Sequence, residues 1–240
     1  MALTELRTKT KGIWIVDLYR SPVGKKYAMA ISGIVLLGFV VAHMIGNLHL
    51  YQSAQEMNHY GEFLRDFGEP IFPRTWFLWI FLRLPLAAAF AVHIHAAYSL
   101  TYVNAKARPD KYQQPRQWLA ANYASRTMRW SGTIVLLFLV WHLADLTWGL
   151  AFVNPDFQLG MPYENLVASL SRVGVAAIYI VANIALGLHI FHGAWSLFQS
   201  IGVNNPRFNR WRRWLAQGLA TIIVLGNVAF PLLIVTGVVA

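Results

Sequence analysis

Four long apolar stretches of this chain each carry a histidine: His43, His95, His142 and His189. The last sits in LHIFHGAWS (188–196), where His192 adds a second imidazole. Ionisable side chains inside membrane-spanning helices are costly and rare, and those that persist face the bundle interior for a functional reason. The chemistry open to neutral imidazoles there is metal ligation. Two rings approaching one iron from opposite sides complete a haem whose porphyrin fills the equatorial plane, and bis-imidazole ligation leaves no position open for oxygen, which suits electron transfer. The competing reading is interhelical hydrogen bonding, worth about 0.6 kcal/mol per residue. Four histidines, one per helix, favour two haem sites.

The elements that must position these rings follow from composition. Of 240 residues, 57% are hydrophobic and 12% charged, which places the chain among membrane proteins. Cysteine is absent, which excludes iron–sulfur ligation, thiolate haem ligation, c-type attachment and disulfides within this chain. No glycine-rich phosphate loop points to flavin or nucleotide binding. The expected fold is all-α, an integral membrane bundle of five transmembrane helices at Tyr27–Leu50, Trp76–Val103, Trp130–Val153, Val173–Phe198 and Trp214–Val239, each near the ~20 residues a bilayer requires. Pro85 and Pro231 are expected to kink the second and fifth. This divides the chain into a cytoplasmic N-terminal segment (1–26) and a haem-binding transmembrane domain (27–240). Within the first, GIWIVDLY (12–19) suits the membrane interface or a partner. No cleaved leader is expected, because the first apolar run is too long for a signal-peptide core. The stretches 115–126 and 161–172 are expected to form short surface helices, and no internal repeat is evident.

The net charge of +10 has an explanation other than nucleic acid. Six Lys/Arg lie in the leader, six in 104–129 and four in 199–213, against only Arg65, Arg74 and Arg172 in the alternate loops. That asymmetry predicts a cytoplasmic N-terminus and a C-terminus outside. At ~1.5 Å rise per residue, His95 and His189 lie ~15 Å from the cytoplasmic edge, His142 ~18 Å and His43 ~24 Å. The depths sort them into an inner pair, His95 and His189, and an outer pair, His43 and His142. His93 lies about 200° round the helix from His95 and is expected to face another helix or lipid. His192, one turn inward of His189 on nearly the same face, is either a rival ligand or a haem-propionate partner. Small neighbours (Ala42, Gly46, Ala91, Ala96, Gly187 and Gly193) admit either a flat macrocycle or another helix.

Four segments in order carry a family resemblance: SGIVLLGFVVAHMIGN around His43, LPLAAAFAVHIHAAYSL around His95, LVWHLADL around His142 and LHIFHGAWSLF around His189. With them the chain resembles the single-subunit, five-helix, di-haem cytochrome b anchors of bacterial succinate dehydrogenases and fumarate reductases. The resemblance spans all five helices. It implies His95 rather than His93 as the second-helix ligand and His189 rather than His192 as the fourth; the extra histidine in each segment departs from the pattern. It further implies two haem b groups and a multi-pass location in the bacterial cell membrane. A flavoprotein subunit and an iron–sulfur subunit would dock on the cytoplasmic face. Electrons would pass through the inner and then the outer haem to a quinone, typically menaquinone, near the outer haem. Higher oligomers of such a complex are compatible with it.

Depth adds further candidates. Asp145 lies one turn outward of His142, and Arg83 lies at a similar depth in the second helix; either charge alone would be costly, so the two should pair or serve a bound group. The functional version is a proton-accepting or propionate-binding site beside the outer haem, and the alternative is a structural ion pair. Arg126, Arg129 and His192 are expected near the inner haem propionates, with Ser32 lining the same pocket. Other classes fit less well. A transporter should show broken helices and repeat symmetry. A haem-free anchor leaves the paired histidines unexplained, and the cytochromes b of other membrane dehydrogenases lack the four-segment match.

Overall fold

The first span begins at a reversal. Ser21 donates from Oγ to the Leu18 carbonyl (2.6 Å) and accepts from the Gly24 amide (2.9 Å), while Pro22 occupies the first helical turn, where its missing N–H is no loss. Only glycine fits at position 24, since a Cβ there would stand 1.9 Å from the Leu18 oxygen. The short helix before this turn, α1 (Trp14–Arg20), leaves Ile13, Trp14, Ile15, Val16 and Leu18 exposed, an apolar surface of the kind expected at 12–19.

The computed structural model describes residues 13–107, 123–203 and 205–239, with the side chains of 123–126 outside that description. The described chain is all-helical, and five helices are long and apolar enough to cross a membrane: Pro22–Tyr51, Trp76–Lys106, Thr127–Leu146, Val173–Ser200 and Pro206–Val235. In order, α2 (Pro22–Asn47) runs through a 3-10 turn (Leu48–Tyr51) to α3 (Ala54–Asp66). The second span comprises α4 (Trp76–Leu78), a π-helical turn (Trp79–Arg83) and α5 (Leu84–Lys106). Then come α6 (Tyr123–Leu146), α7 (Pro162–Leu170), α8 (Val173–Ser200) and α9 (Pro206–Val235).

Several boundaries differ from those read off hydropathy, the first span beginning at Pro22 rather than Tyr27 and the third at Tyr123 rather than Trp130. The third span stops at Leu146, short of Val153, because the chain turns back: the Trp148 amide reaches the Leu143 carbonyl at 2.7 Å and Gly149 takes φ +59°. The fifth begins at Pro206 rather than Trp214, capped by Asn205 Oδ1 on the Arg207 amide (3.0 Å), so a basic amphipathic turn precedes the apolar run. The stretch after Tyr51 contains a helix, α3, whose start is a Ser53–Glu56 cap (3.1 Å). Pro85 falls directly after the π-helical turn, which absorbs the hydrogen bond that proline cannot make, whereas Pro231 lies inside α9. The short helix expected in 161–172 is α7. The one expected at 115–126 lies outside the described residues up to 122, and Tyr123 already belongs to α6.

Helix α8 is the hub, packed along α9 and α6 and touching α2 and α7; α2 in turn lies along α5. Small residues permit these crossings. A Cβ on Gly187 would stand 2.1 Å from Val224 Cγ2, and one on Gly46 would stand 2.9 Å from the Tyr60 ring. Both glycines, read as open to a macrocycle or a helix, serve helix and side-chain packing. Gly187→Leu is therefore expected to lower stability by about 1–3 kcal/mol through overpacking. Thermal unfolding of the solubilised chain measures it, and an unchanged midpoint would contradict this account of the α8–α9 seam. Facing the same end of the bundle, Asn58 of α3 donates to Glu164 of α7 (2.9 Å) and accepts from the Tyr163 amide (3.0 Å), tying the two short helices together.

Candidate functional site

Two imidazole pairs bridge the bundle. His43 of α2 and His142 of α6 face each other edge-on with ring centroids 5.8 Å apart and planes at 83°. His93 of α5 and His189 of α8 do the same at 6.3 Å and 64°. The helices that lie along each other are α2 with α5 and α6 with α8, so each pair crosses from one packed couple to the other. The 43/142 pairing is the one expected from depth. The second pairing is not.

His95 is turned away from the pairs. It is exposed, its Nδ1 is hydrogen-bonded to the Tyr19 hydroxyl, and the two rings stack with centroids 5.6 Å apart. The expected partnership of His95 with His189 is not the one in the structure; His93, expected to face another helix or lipid, faces α2 and α8 and takes that place. Depth could not separate the two, since two residues differ by only ~3 Å along the axis but by about 200° around it.

Each paired ring is oriented by what its Nδ1 touches. His93 Nδ1 lies 3.2 Å from the Met29 carbonyl and 3.2 Å from Ser32 Oγ. The carbonyl can only accept, so Nδ1 carries the proton; Ser32 gives its own proton to the Ala28 carbonyl at 2.7 Å. His189 Nδ1 is 3.5 Å from Ser131 Oγ, which donates to the Met128 carbonyl at 3.0 Å. His142 Nδ1 is 3.3 Å from the Tyr179 hydroxyl. In all three rings this leaves Nε2 as the nitrogen with a free lone pair, the arrangement found where a second group fixes the tautomer of a metal-bound histidine.

A short repeat underlies this arrangement. Ser32, Gly33, Phe39 and His43 on the first span have counterparts at identical spacing in Ser131, Gly132, Phe138 and His142 on the third. Each serine meets the Nδ1 of a histidine on another span, and each glycine gives that ring room. A Cβ at 33 would lie 3.5 Å from His93 Cε1, and one at 132 would lie 3.1 Å from His189 Cε1. Each phenylalanine lies against its own histidine, Phe39 stacked on His43 at 5.3 Å and Phe138 tilted on His142 at 5.7 Å. Ser32 thus stands beside the His93/His189 pair.

Asp145 is fully buried and bonded, but not to Arg83. Its Oδ2 accepts from Ser169 Oγ (2.6 Å) and the Tyr179 hydroxyl (2.7 Å), and Arg172 Nη2 lies 3.7 Å from Oδ1. Arg172 also donates to the Val153 carbonyl at 2.6 Å. Arg83 is exposed and lies over the Trp79 ring, 4.7 Å from its centroid. The expected partnership of Asp145 with Arg83 is corrected to one with Arg172, because α7 and the start of α8 fold over the end of α6. Arg129 is exposed and lines an open cleft of about 300 Å³ with Trp130 and Thr133. His192 is half-buried, and the Arg126 side chain lies outside the described residues.

Tyr179, Arg172 and Arg212 were not singled out by sequence. Arg212 is fully buried over Trp195 (4.4 Å), which is one turn from His192; it donates to the Val203 carbonyl at 2.7 Å, while Nε and Nη2 have no partner. Trp141 Nε1, next to His142 in sequence, and Asp145 Oδ1 are likewise buried without a hydrogen bond. Buried polar atoms without a hydrogen bond are exceptions in folded proteins, and Asp145 Oδ1 still has the Arg172 charge beside it.

The donor set fits a macrocycle better than a bare ion. No cluster of three or more His, Asp or Glu among the described residues could hold a metal by itself. A pair of imidazoles with ~2 Å bonds to one metal places their centroids about 6 Å apart, close to both observed values. Two axial nitrogens suffice only where another ligand supplies the equatorial plane, as porphyrin does. No family model, curated protein or solved structure matches the chain.

Proposed function

We propose that this chain is a membrane-embedded electron-transfer subunit that holds two b-type haems, one on His43 and His142 and one on His93 and His189. The observation that carries the reading is the pair of cross-bundle imidazole couples, with Nδ1 engaged in three of the four rings and Nε2 free to ligate. Bound there, haem would supply a one-electron iron couple. The chain's own residues do the rest. Ser32 and the Met29 carbonyl hold His93, Ser131 holds His189, and Tyr179 holds His142, so each ring presents one fixed nitrogen. Arg212, lying over Trp195, has two donors without a partner, suited to an anionic edge of a bound group. The sequence expectation of Arg129 there is weaker, given its exposure.

The resemblance of the four histidine segments supports a more specific reading. The chain would anchor a succinate- or fumarate-converting flavoprotein and its iron–sulfur subunit on the face bearing most of its lysines and arginines, and deliver electrons to a quinone near the opposite face. Charge asymmetry supports a cytoplasmic location for that basic face.

A dithionite-reduced minus oxidised spectrum of the protein purified from membranes tests the central claim. Two haem b per chain are expected, with flavin and iron–sulfur subunits in the same peak. A folded preparation with no Soret band would leave a haem-free anchor. Two haems without those partners would leave the cytochrome and remove the succinate dehydrogenase reading.

A further inference from the structure

The two imidazole pairs differ in what stands behind them. His93 and His189 lean on neutral acceptors, a backbone carbonyl and two serines that each give their proton to the helix. His142 leans on a hydroxyl that is itself committed to a carboxylate. Tyr179 has one proton, and Asp145 Oδ2 takes it at 2.7 Å, so toward His142 Nδ1, at 3.3 Å, the phenol oxygen can only accept. The resulting chain runs His142 Nδ1–H to Tyr179 to Asp145, with every direction set by the last group. It is also braced from outside: Ser169 of α7 donates to the same carboxylate oxygen, Arg172 stands beside the other, and Asn183 one turn along α8 donates to the Tyr179 carbonyl at 2.8 Å.

We propose that Tyr179 is a positioning residue for the His43/His142 centre, holding His142 as an Nε2 ligand and passing to it part of the Asp145 charge. This rests on the haem reading above. Hydrogen-bond chains polarise along their length, and a histidine whose N–H feeds a stronger acceptor is a more basic ligand. A more basic ligand stabilises the oxidised iron, so the relay lowers the reduction potential of this centre and leaves the other unaffected.

The two ends of the relay give opposite signs. Tyr179→Phe removes the acceptor for His142 and is expected to raise the potential of one centre, by about tenfold in its reduction equilibrium, or about 59 mV for one electron. Ser169→Ala removes a competing donor from Asp145, strengthens its hold on Tyr179, and is expected to shift the same centre downward. A spectroscopic redox titration of the two-haem complex reads both, and the affected centre is the one lost in His142→Ala. Two haems at wild-type potentials in both variants would overturn the proposal, as would shifts of the same sign, which general loosening of the bundle would produce. Should Tyr179→Phe fail to assemble, the direction in Ser169→Ala alone decides. A wild-type protein without haem fails at the spectrum, before any titration; that result ends the function proposed above and this inference with it.

Discussion

His93→Ala is expected to leave one haem per chain instead of two, while His95→Ala keeps both. The two residues are neighbours in depth only, about 200° apart around the helix. His93 presents its ring to His189 at 6.3 Å, with Nδ1 held by Met29 and Ser32, whereas His95 is exposed and engaged with Tyr19. On the proposed function, His93→Ala would remove one of the two residues holding that haem, so the expected loss is the whole group. His95→Ala removes a contact between α5 and the exposed helix α1, whose effect should be confined to the anchoring of α1. Haem content per polypeptide by reduced-minus-oxidised spectroscopy separates the two. Loss of a haem in His95→Ala with retention in His93→Ala would restore the pairing expected from the sequence resemblance and mean that α5 is rotated in the assembled protein.

The second large effect belongs to Asp145. Replacement by Ala strips the acceptor from Ser169 and Tyr179 and the counter-charge from Arg172 at a fully buried position. Removing one partner of a buried pair costs about 3–5 kcal/mol. The expected loss lies at the low end of that range, because the Arg172 side chain is 37% exposed and keeps its bond to the Val153 carbonyl. Arg83→Ala, by contrast, removes an exposed side chain resting on Trp79 and should change stability little. Thermal unfolding followed by fluorescence of the ten tryptophans measures both. Equal, small shifts in the two variants would mean that Asp145 does not tie the end of α6 to α7 and α8.

Several features were legible before any coordinates. Apolar run length alone located five helices long enough to span a membrane. The 43/142 couple followed from depth, because those two helices carry a single candidate each at that level. Other features were present in the residues yet went unread. Ser53 followed by Glu56 is a helix start inside what looked like a loop, and the Ser-Gly-…-Phe-…-His spacing recurs 99 residues apart, too short and too far separated to register as a repeat. Their meaning emerged only when each serine was found beside a histidine of a different helix.

What the sequence determined by itself is the number of helices long enough to span a membrane and which of them carry imidazoles. Those quantities depend on hydrophobic length and on rise per residue, which are local. What only the tertiary structure decided is azimuth and partnership. The apolar residues of α5 surround the helix, so its own pattern does not say which side faces inward, and the contact with α2 turns His93 rather than His95 toward α8. In the same way Asp145 found Arg172, not Arg83, because a buried charge is satisfied by whichever group the folded chain brings within reach. Here that group comes from the junction of α7 and α8, which packs over the end of α6.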